Sequence, residues 1–353
     1  MEKIAIIMIN YKDYAKRFLK ESAESLSKIN YPNENWRLYV VDNESSPETV
    51  ASIKELAPEA VIVPSGGNGW GHGNNVGVKK AMEDGFDDYF FFVNMDTIFD
   101  PKFINEALSV YKSDDKIGIV QSKLLLHPPQ NGQYYLNSGG NALTFLGFGY
   151  CAGDGKVDDI SMETTDIISA AGAGLLISKE KFMEIGQCDE TYFMYHDDIE
   201  LSQKIKLAGY RLVLAPKSVI YHKHEFGRSI RQVYFMERNR LRFLLEFLRW
   251  PTLIIIFPAF VLMEIGMLPF EIMNKWFGAK LKAYGYFFSL KNLKLIFQKR
   301  RAIQRLRKIK DREFTKKFVG KIEYQQIENP LLKYVANPLF NLYWKITKYL
   351  IFW

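Results

Sequence analysis

Apolar and polar positions along the first hundred residues switch between two periods. IAIIMIN (4–10), RLYVVDN (37–43) and DYFFFVNMD (88–96) are apolar runs closed by polar residues, the pattern of buried strands. Between 13 and 29 the spacing is helical instead, with Phe18, Leu19, Ser22, Leu26 and Ile29 on one side. Residues 60–64 read as a short strand and 77–84 as the continuation of a helix. Strand–helix–strand alternation predicts an α/β fold with a mostly parallel sheet and right-handed crossovers. Such sheets bind ligands beyond the carboxyl ends of their strands. The polar residues closing these strands are Asn10, Tyr11, Asp42, Asn43, Asn94 and Asp96, so they are expected to converge on one crevice.

Farther on the pattern loosens. Residues 130–165 are rich in Gly, Asn and aromatics and predict irregular structure over a pocket. Residues 167–178 read as a small-residue turn feeding a strand, 198–208 as a helix ended by Gly209, 211–216 as a late strand, and 229–250 as a helix. From Pro251 to Met263 no residue is charged. A spanning helix needs about 20 apolar residues, so this stretch reads either as a buried helix or as a membrane contact.

Charge decides between those two. Residues 271–353 hold 19 Lys/Arg against 5 Asp/Glu, although the whole chain of 353 residues carries a formal charge of only +7. The front of the chain is therefore acidic and its tail basic. Within the tail, Trp276, Phe277, Tyr284, Tyr286, Phe287, Phe288 and Phe297 are interleaved with lysines and arginines. Basic residues with interfacial aromatics suit an anionic membrane surface, expected here through residues 251–353. No nucleic-acid motif is present, and no nucleic acid is expected as a partner. The two cysteines, Cys151 and Cys188, have no metal-type spacing and fit a reducing compartment. The apolar N-terminus lacks a small-residue cleavage site and reads as a first strand.

Several segments carry candidate chemistry. PSGGNGWGHGNNVG (64–77) offers Gly67, Gly71, Asn68 and Asn74 where backbone could approach a phosphate. It fits neither the dinucleotide-binding G-x-G-x-x-G nor a P-loop, which disfavours a dehydrogenase or a P-loop kinase. Asp42 and Asn43 suit either a base contact or a capping turn. Asp96 with Asn94 could hold a divalent ion whose other ligands are diphosphate oxygens and water, and His222 could complete that shell. CDETYFMYHDDIEL (188–201) sets Tyr192, Phe193, Met194 and Tyr195 beside Asp197, Asp198 and Glu200. Carboxylates at an apolar edge are raised in pKa, as a general base requires. Arg238 and Asn239 follow on a helix, facing either a phosphate or solvent.

Taken in order, VDNxS, GGNxGxGxxNxG, NxDT, GAGLLISKEKF, DExYFMYHDDIEL and the later His and Arg-Asn pair resemble the inverting family 2 glycosyltransferases, most closely their rhamnosyltransferase-like branch. The resemblance covers about residues 1–245. It implies a GT-A type, Rossmann-like αβα sandwich in 1–245, with nucleotide-sugar binding in 1–100 and acceptor and catalytic parts in 101–245. A helical, basic and hydrophobic membrane-association region in 246–353 would follow. It also implies transfer of a sugar, rhamnose being one candidate, from a nucleoside-diphosphate donor to a hydroxyl of a glycan or lipid-linked saccharide, with inversion. Cell-surface polysaccharide synthesis at the cytoplasmic membrane face is the implied setting, with Mn2+ or Mg2+ as the metal.

By position, Asp42 would contact the base, with Asn10 and Asn43 beside it, and Asn68–Asn74 would border the diphosphate. Asp96 and His222 would hold the metal, Gly172 and Gly174 would line the donor–acceptor pocket, and Arg238 would support the diphosphate. Asp198 would be the base, with Asp197, Tyr192 and Tyr195 toward the acceptor. Two departures stand out: Asn94-Met95-Asp96 replaces the family's Asn-Pro-Asp, and Asp197-Asp198-Ile199-Glu200 makes Asp197 a rival base. A sugar-phosphate nucleotidyltransferase and a non-catalytic, membrane-bound carbohydrate-binding protein are the alternatives. The first would need a basic Gly-rich loop after the first strand, which NYKDYAKRF matches poorly.

Overall fold

The computed structural model describes residues 1–67, 69–224, 230–323 and 330–353. Its strands are β1 (Ile4–Asn10), β2 (Trp36–Asp42), β3 (Val61–Pro64), β4 (Tyr89–Val93), β5 (Thr97–Phe99), β6 (Ile117–Leu126), β7 (Leu136–Ser138), β8 (Asn141–Leu143), β9 (Gly149–Cys151), β10 (Thr165–Asp166), β11 (Gly174–Ser178) and β12 (Arg211–His222). Among the described residues, ten of them form one sheet with the path β10-β12-β6-β11-β4-β1-β2-β3, to which β5 and β7 attach at β12 and β6. β1, β2, β3 and β4 run parallel, whereas β11 enters between β4 and β6 antiparallel to both. That reversal brings the start of β11 to the edge where β4 ends.

The helices are α1 (Lys20–Leu26), α2 (Pro47–Leu56), α3 (Trp70–Glu83), α4 (Phe103–Tyr111), α5 (Lys179–Glu184), α6 (Asp197–Leu207), α7 (Ile230–Phe247), α8 (Trp250–Met273), α9 (Phe277–Gly285), α10 (Leu290–Leu306), α11 (Asp311–Phe314) and α12 (Asn337–Thr347). Alternate residues of β1 serve opposite faces of the sheet. Ile4, Ile6 and Met8 pack with Leu26, Ile53, Phe103 and Ala107 of α1, α2 and α4. Ala5 and Ile7 pack with Val78, Phe182 and Leu201 of α3, α5 and α6. The strands read as continuous apolar runs because both faces are covered.

The helix predicted to continue through 77–84 begins within the glycine-rich stretch, at Trp70. A β carbon at Gly77 would lie 2.6 Å from Ile7 Cγ2 and 2.9 Å from Val41 Cγ2, so this glycine lets α3 press onto the sheet. Residues on both sides of position 245 share a core. Leu143, Phe145, Phe148, Ile199 and Leu207 share one cluster with Phe243, Ile256, Phe314, Phe340, Trp344 and Ile351. The C-terminal helices are built onto α6 and the segment around β8.

Candidate active site

The strand ends converge as the pattern predicts, since Asn10 pairs in register with Asp42, and Asp42 with Pro64. Asn10 and Asp42 are fully buried and committed to each other. Asn10 Nδ2 donates to Asp42 Oδ1 at 2.8 Å, and Thr49 Oγ1 donates to Asp42 Oδ2 at 2.6 Å. Their observed role is to tie β1 and β2 to the start of α2, which leaves Asn43 as the more open group of the set. Asn43 Nδ2 donates to the Gly69 carbonyl at 3.3 Å, and its buried Oδ1 has no partner among the described residues. Asn68 lies outside the described residues. Gly67, Gly71 and Asn74 serve packing: Gly67 admits the His72 ring, Gly71 touches Cys188 and Asp189, and Asn74 bonds back to the Trp70 carbonyl.

A latch that sequence reading missed joins this glycine segment to the acidic run. His72 Nδ1 lies 2.8 Å from Glu190 Oε2, and its Nε2 lies 3.0 Å from the Ser65 carbonyl. The hydrogen bond to Glu190 holds the imidazole above its ordinary pKa. Asn75 donates to Glu190 Oε1 and to the Cys188 carbonyl, and accepts from Cys188 N–H. Only the i, i+3 spacing of two polar residues on one helix could have hinted at it.

At the other side of the crevice, β12 ends beside β5 and brings His222 Nε2 to 3.2 Å from Asp96 Oδ1. His222 Nδ1 faces Asn137 Oδ1 at 2.8 Å, an oxygen that can only accept. The Nε2 lone pair of a neutral ring therefore faces the carboxylate, and a cation or a proton must sit between them. Burial opposes ionisation of Asp96, but the His222 hydrogen bond and charge hold its carboxyl below the usual range. Asn94 Nδ2 stands 3.5 Å from the same Nε2. One carboxylate and one imidazole fit a divalent ion that takes its remaining ligands from a diphosphate and water. Among the described residues no three His, Cys, Asp or Glu side chains are grouped so as to hold a metal ion by themselves.

The acidic run is a strained turn before α6. Phe193, Tyr195 and His196 have φ of 71°, 61° and 64°, a region that side chains avoid. α7 holds it in place. Asn239 Nδ2 contacts the carbonyls of Tyr192, Met194 and Tyr195 at 3.0, 2.8 and 2.8 Å. Arg238 donates to the Thr191 and Tyr192 carbonyls, and Arg242 to that of Thr191. Arg238 thus anchors the turn instead of reaching a diphosphate. Tyr192 is likewise corrected: it is fully buried, donates to Glu246 Oε2 at 3.0 Å and lies under the Arg242 guanidinium, so it walls no acceptor. Phe193 and Tyr195 stay half-buried at the turn.

Asp198 is oriented by three N–H donors. Asn141 Nδ2 and Gly172 N–H approach Oδ2 at 3.2 Å each, and Ile199 N–H approaches Oδ1 at 2.8 Å. Burial raises its carboxyl, and these donors draw it part of the way back. Gly172 also makes room for the Trp70 ring. Gly174 is corrected to a packing position, since a β carbon there would strike Ile220 and Leu124 in the sheet. Asp197 is more deeply buried, and its Oδ2 has no partner among the described residues. Burial first, and the neighbouring Asp198 charge second, push its carboxyl up to about 7.

A crevice at the parallel strand ends, a carboxylate–imidazole pair and a buried acid pair on an αβα sandwich define a GT-A type nucleotide-sugar transferase. Comparison with known sequences agrees: the pattern "Glycosyl transferase family 2" matches residues 4–150, and "Glycosyl transferase family group 2" matches residues 89–295. This chain belongs to the family 2 glycosyltransferases and is a glycosyltransferase. It is 25% identical over 245 residues to the rhamnosyltransferase WbbL of Escherichia coli, covering 65% of this chain and 86% of that one. The N-acetylglucosaminyl-diphospho-decaprenol L-rhamnosyltransferase of Mycobacterium tuberculosis is 38% identical over 61 residues, 17% of this chain and 20% of that protein. In fold, GalNAc-T7 solved with UDP, GalNAc and Mn2+ superposes with a TM-score of 0.53 at 15% identity, over 70% of this chain and 48% of that longer one.

Proposed function

We propose that this glycosyltransferase moves a sugar of the rhamnose type from a nucleoside-diphosphate donor to a hydroxyl of a lipid-linked saccharide, with inversion, in surface polysaccharide synthesis. The observation that supports it best is the Asp198 carboxylate, half-buried and aimed by Asn141 and Gly172 N–H at the edge where the donor strands end. Asp198 takes the proton of the acceptor hydroxyl as that oxygen attacks the anomeric carbon from the face opposite the departing diphosphate. Only one base is needed, in contrast to the paired carboxylates of glycosidases. Asp96 and His222 would hold a divalent ion, whose chemistry there would be to offset negative charge on the departing diphosphate. Asn43 borders the nucleotide, while the His72–Glu190 latch keeps donor segment and catalytic turn in register. The family assignment disfavours the nucleotidyltransferase and carbohydrate-binding alternatives.

The enzyme works at the cytoplasmic face of the membrane. α8 is long and apolar enough to cross a bilayer, at 24 residues or about 36 Å. Yet α7 before it and α9 and α10 after it pack against one another, which supports a helix lying in the interface and not crossing it. Ile254, Phe257, Ile265 and Ile272 on α8 are exposed, ready for lipid.

Thermal shift with nucleoside diphosphates and their sugars tests the donor reading. One of them is expected to stabilise the protein by about 2.7 kcal/mol at a hundredfold excess over Kd, with Mn2+ required and the effect lost in Asp96→Ala. Indifference to every nucleoside diphosphate, with or without Mn2+, would refute it.

A further inference from the structure

Behind α7 lies a second cavity, of about 280 Å3, between α7, α8, the start of α9 and the helical segment 331–340. Val233, Met236, Met263, Met267, Phe270 and Phe340 give it an apolar lining. Its charged lining residues sit in ion pairs: Glu237 with Arg240 at 2.7 Å and Glu271 with Lys280, while Glu264 behind the lining joins both cations and Glu271 Oε2 has no partner among the described residues. Three carboxylates face two cations there, so no surplus positive charge awaits a phosphate. With its cations neutralised and most of its lining apolar, the groove suits a hydrocarbon chain better than a phosphate.

Its position relates it to catalysis. The other side of α7 carries Arg238, Asn239 and Arg242, which hold the catalytic turn. The groove also adjoins the catalytic turn through one packed contact, for His196 Nε2 lies 2.8 Å from the Gly147 carbonyl and the next residue, Phe148, lines the groove. Toward solvent, the lining residue Leu262 is 48% exposed and leads onto the apolar face of α8. A chain could therefore pass from the bilayer into the groove while its head group rounds α7 to the acidic pair. Unbranched, flexible methionines suit an irregular, methyl-branched chain.

We propose that this groove holds the polyisoprenoid chain of the lipid-linked acceptor whose saccharide end meets Asp198. The inference rests on the acceptor class given above, and it adds where and how the lipid is read. Gly266 provides the probe, because it lines the groove and a β carbon there meets nothing within 4 Å. Gly266→Trp should fill the groove without disturbing the fold.

With the full-length protein in detergent, the same saccharide diphosphate is offered on a long polyisoprenoid, on a short polyisoprenoid and on a saturated straight chain. The expected result is a KM for the long polyisoprenoid raised about tenfold by Gly266→Trp, with donor KM and short-chain kinetics unchanged. An unchanged long-chain KM overturns the proposal, as does equal use of the straight chain by the wild type. In parallel, a benzophenone-capped polyisoprenyl diphosphate should label peptides containing Met236 or Met267, and Gly266→Trp should remove that label. Labelling elsewhere, or undiminished in the variant, overturns the groove whatever the activity. Groove labelling without transfer to any lipid-linked saccharide would count against the acceptor reading alone.

Discussion

Replacing Asp197 by Asn separates the two acids of the turn. The Asp197 carboxyl stands at about 7 in the folded protein against an ordinary 3.8, because it is buried with one oxygen unpartnered beside Asp198. A raised carboxyl means that between pH 4 and 7 the folded state keeps a proton which the unfolded chain has released. Stability is then lost as pH rises through that window, and the loss is complete above about pH 7. At 1.36 kcal/mol per pH unit the full effect is about 4 kcal/mol; local relaxation and water entry on ionisation offset part of it, so about 2 kcal/mol is expected. Asp197→Asn should match the wild type near pH 4.5 and exceed it by about 2 kcal/mol at pH 8, read by urea unfolding at both pH values. Because the Asp197 carboxyl is already protonated below about pH 7, the substitution removes no charge there and should leave the acid limb of kcat in place, with most activity kept at pH 8. Asp198→Asn should instead lose activity by about 100-fold or more, with donor binding retained. Identical unfolding curves for Asp197→Asn and wild type, or activity losses equal in the two variants, would refute the division of labour.

Asn239→Ala removes a side-chain donor from the carbonyls of Met194 and Tyr195 and one of several from that of Tyr192, and so weakens the support of a turn with three positive-φ residues. About 3 kcal/mol of destabilisation is expected, with kcat falling further than donor KM rises; wild-type kcat and melting temperature would count against a positioning role. Gly77→Val forces a side chain into Ile7 and Val41. Overpacking should cost about 1–3 kcal/mol and weaken donor binding by shifting α3, whereas Gly278→Ala, with nothing within 4 Å, should stay within about 0.5 kcal/mol of wild type. Equal stability of both variants would show that the contact at Gly77 relaxes freely.

The sandwich was legible in the sequence because its signals are local. A strand buried on both faces has no room for polar residues, so 4–10, 37–43 and 88–96 announce themselves, and the residues closing them mark one edge of the sheet. The order of motifs likewise placed Asp96, His222 and Asp198 on that edge, where the structure brings Asp96 and His222 together. Periodicity could not say which polar groups use each other up. Asn10 spends its amide on Asp42, Arg238 on the Tyr192 carbonyl, and Tyr192 its hydroxyl on Glu246. The latch from His72 to Glu190 crosses 118 positions of the chain, and Asn141 reaches Asp198 across 57.

The basic tail shows the same division. Its charge and aromatics are properties of composition and point to a membrane surface. That it shares a core with residues 143–207, and leaves a hydrocarbon-lined groove behind α7, depends on how helices pack. Sequence by itself determined the central apolar strands, the edge at which they end and the family resemblance. Tertiary structure alone decided which residues are scaffold and which stay open to substrate, because that choice is made by partners far apart along the chain.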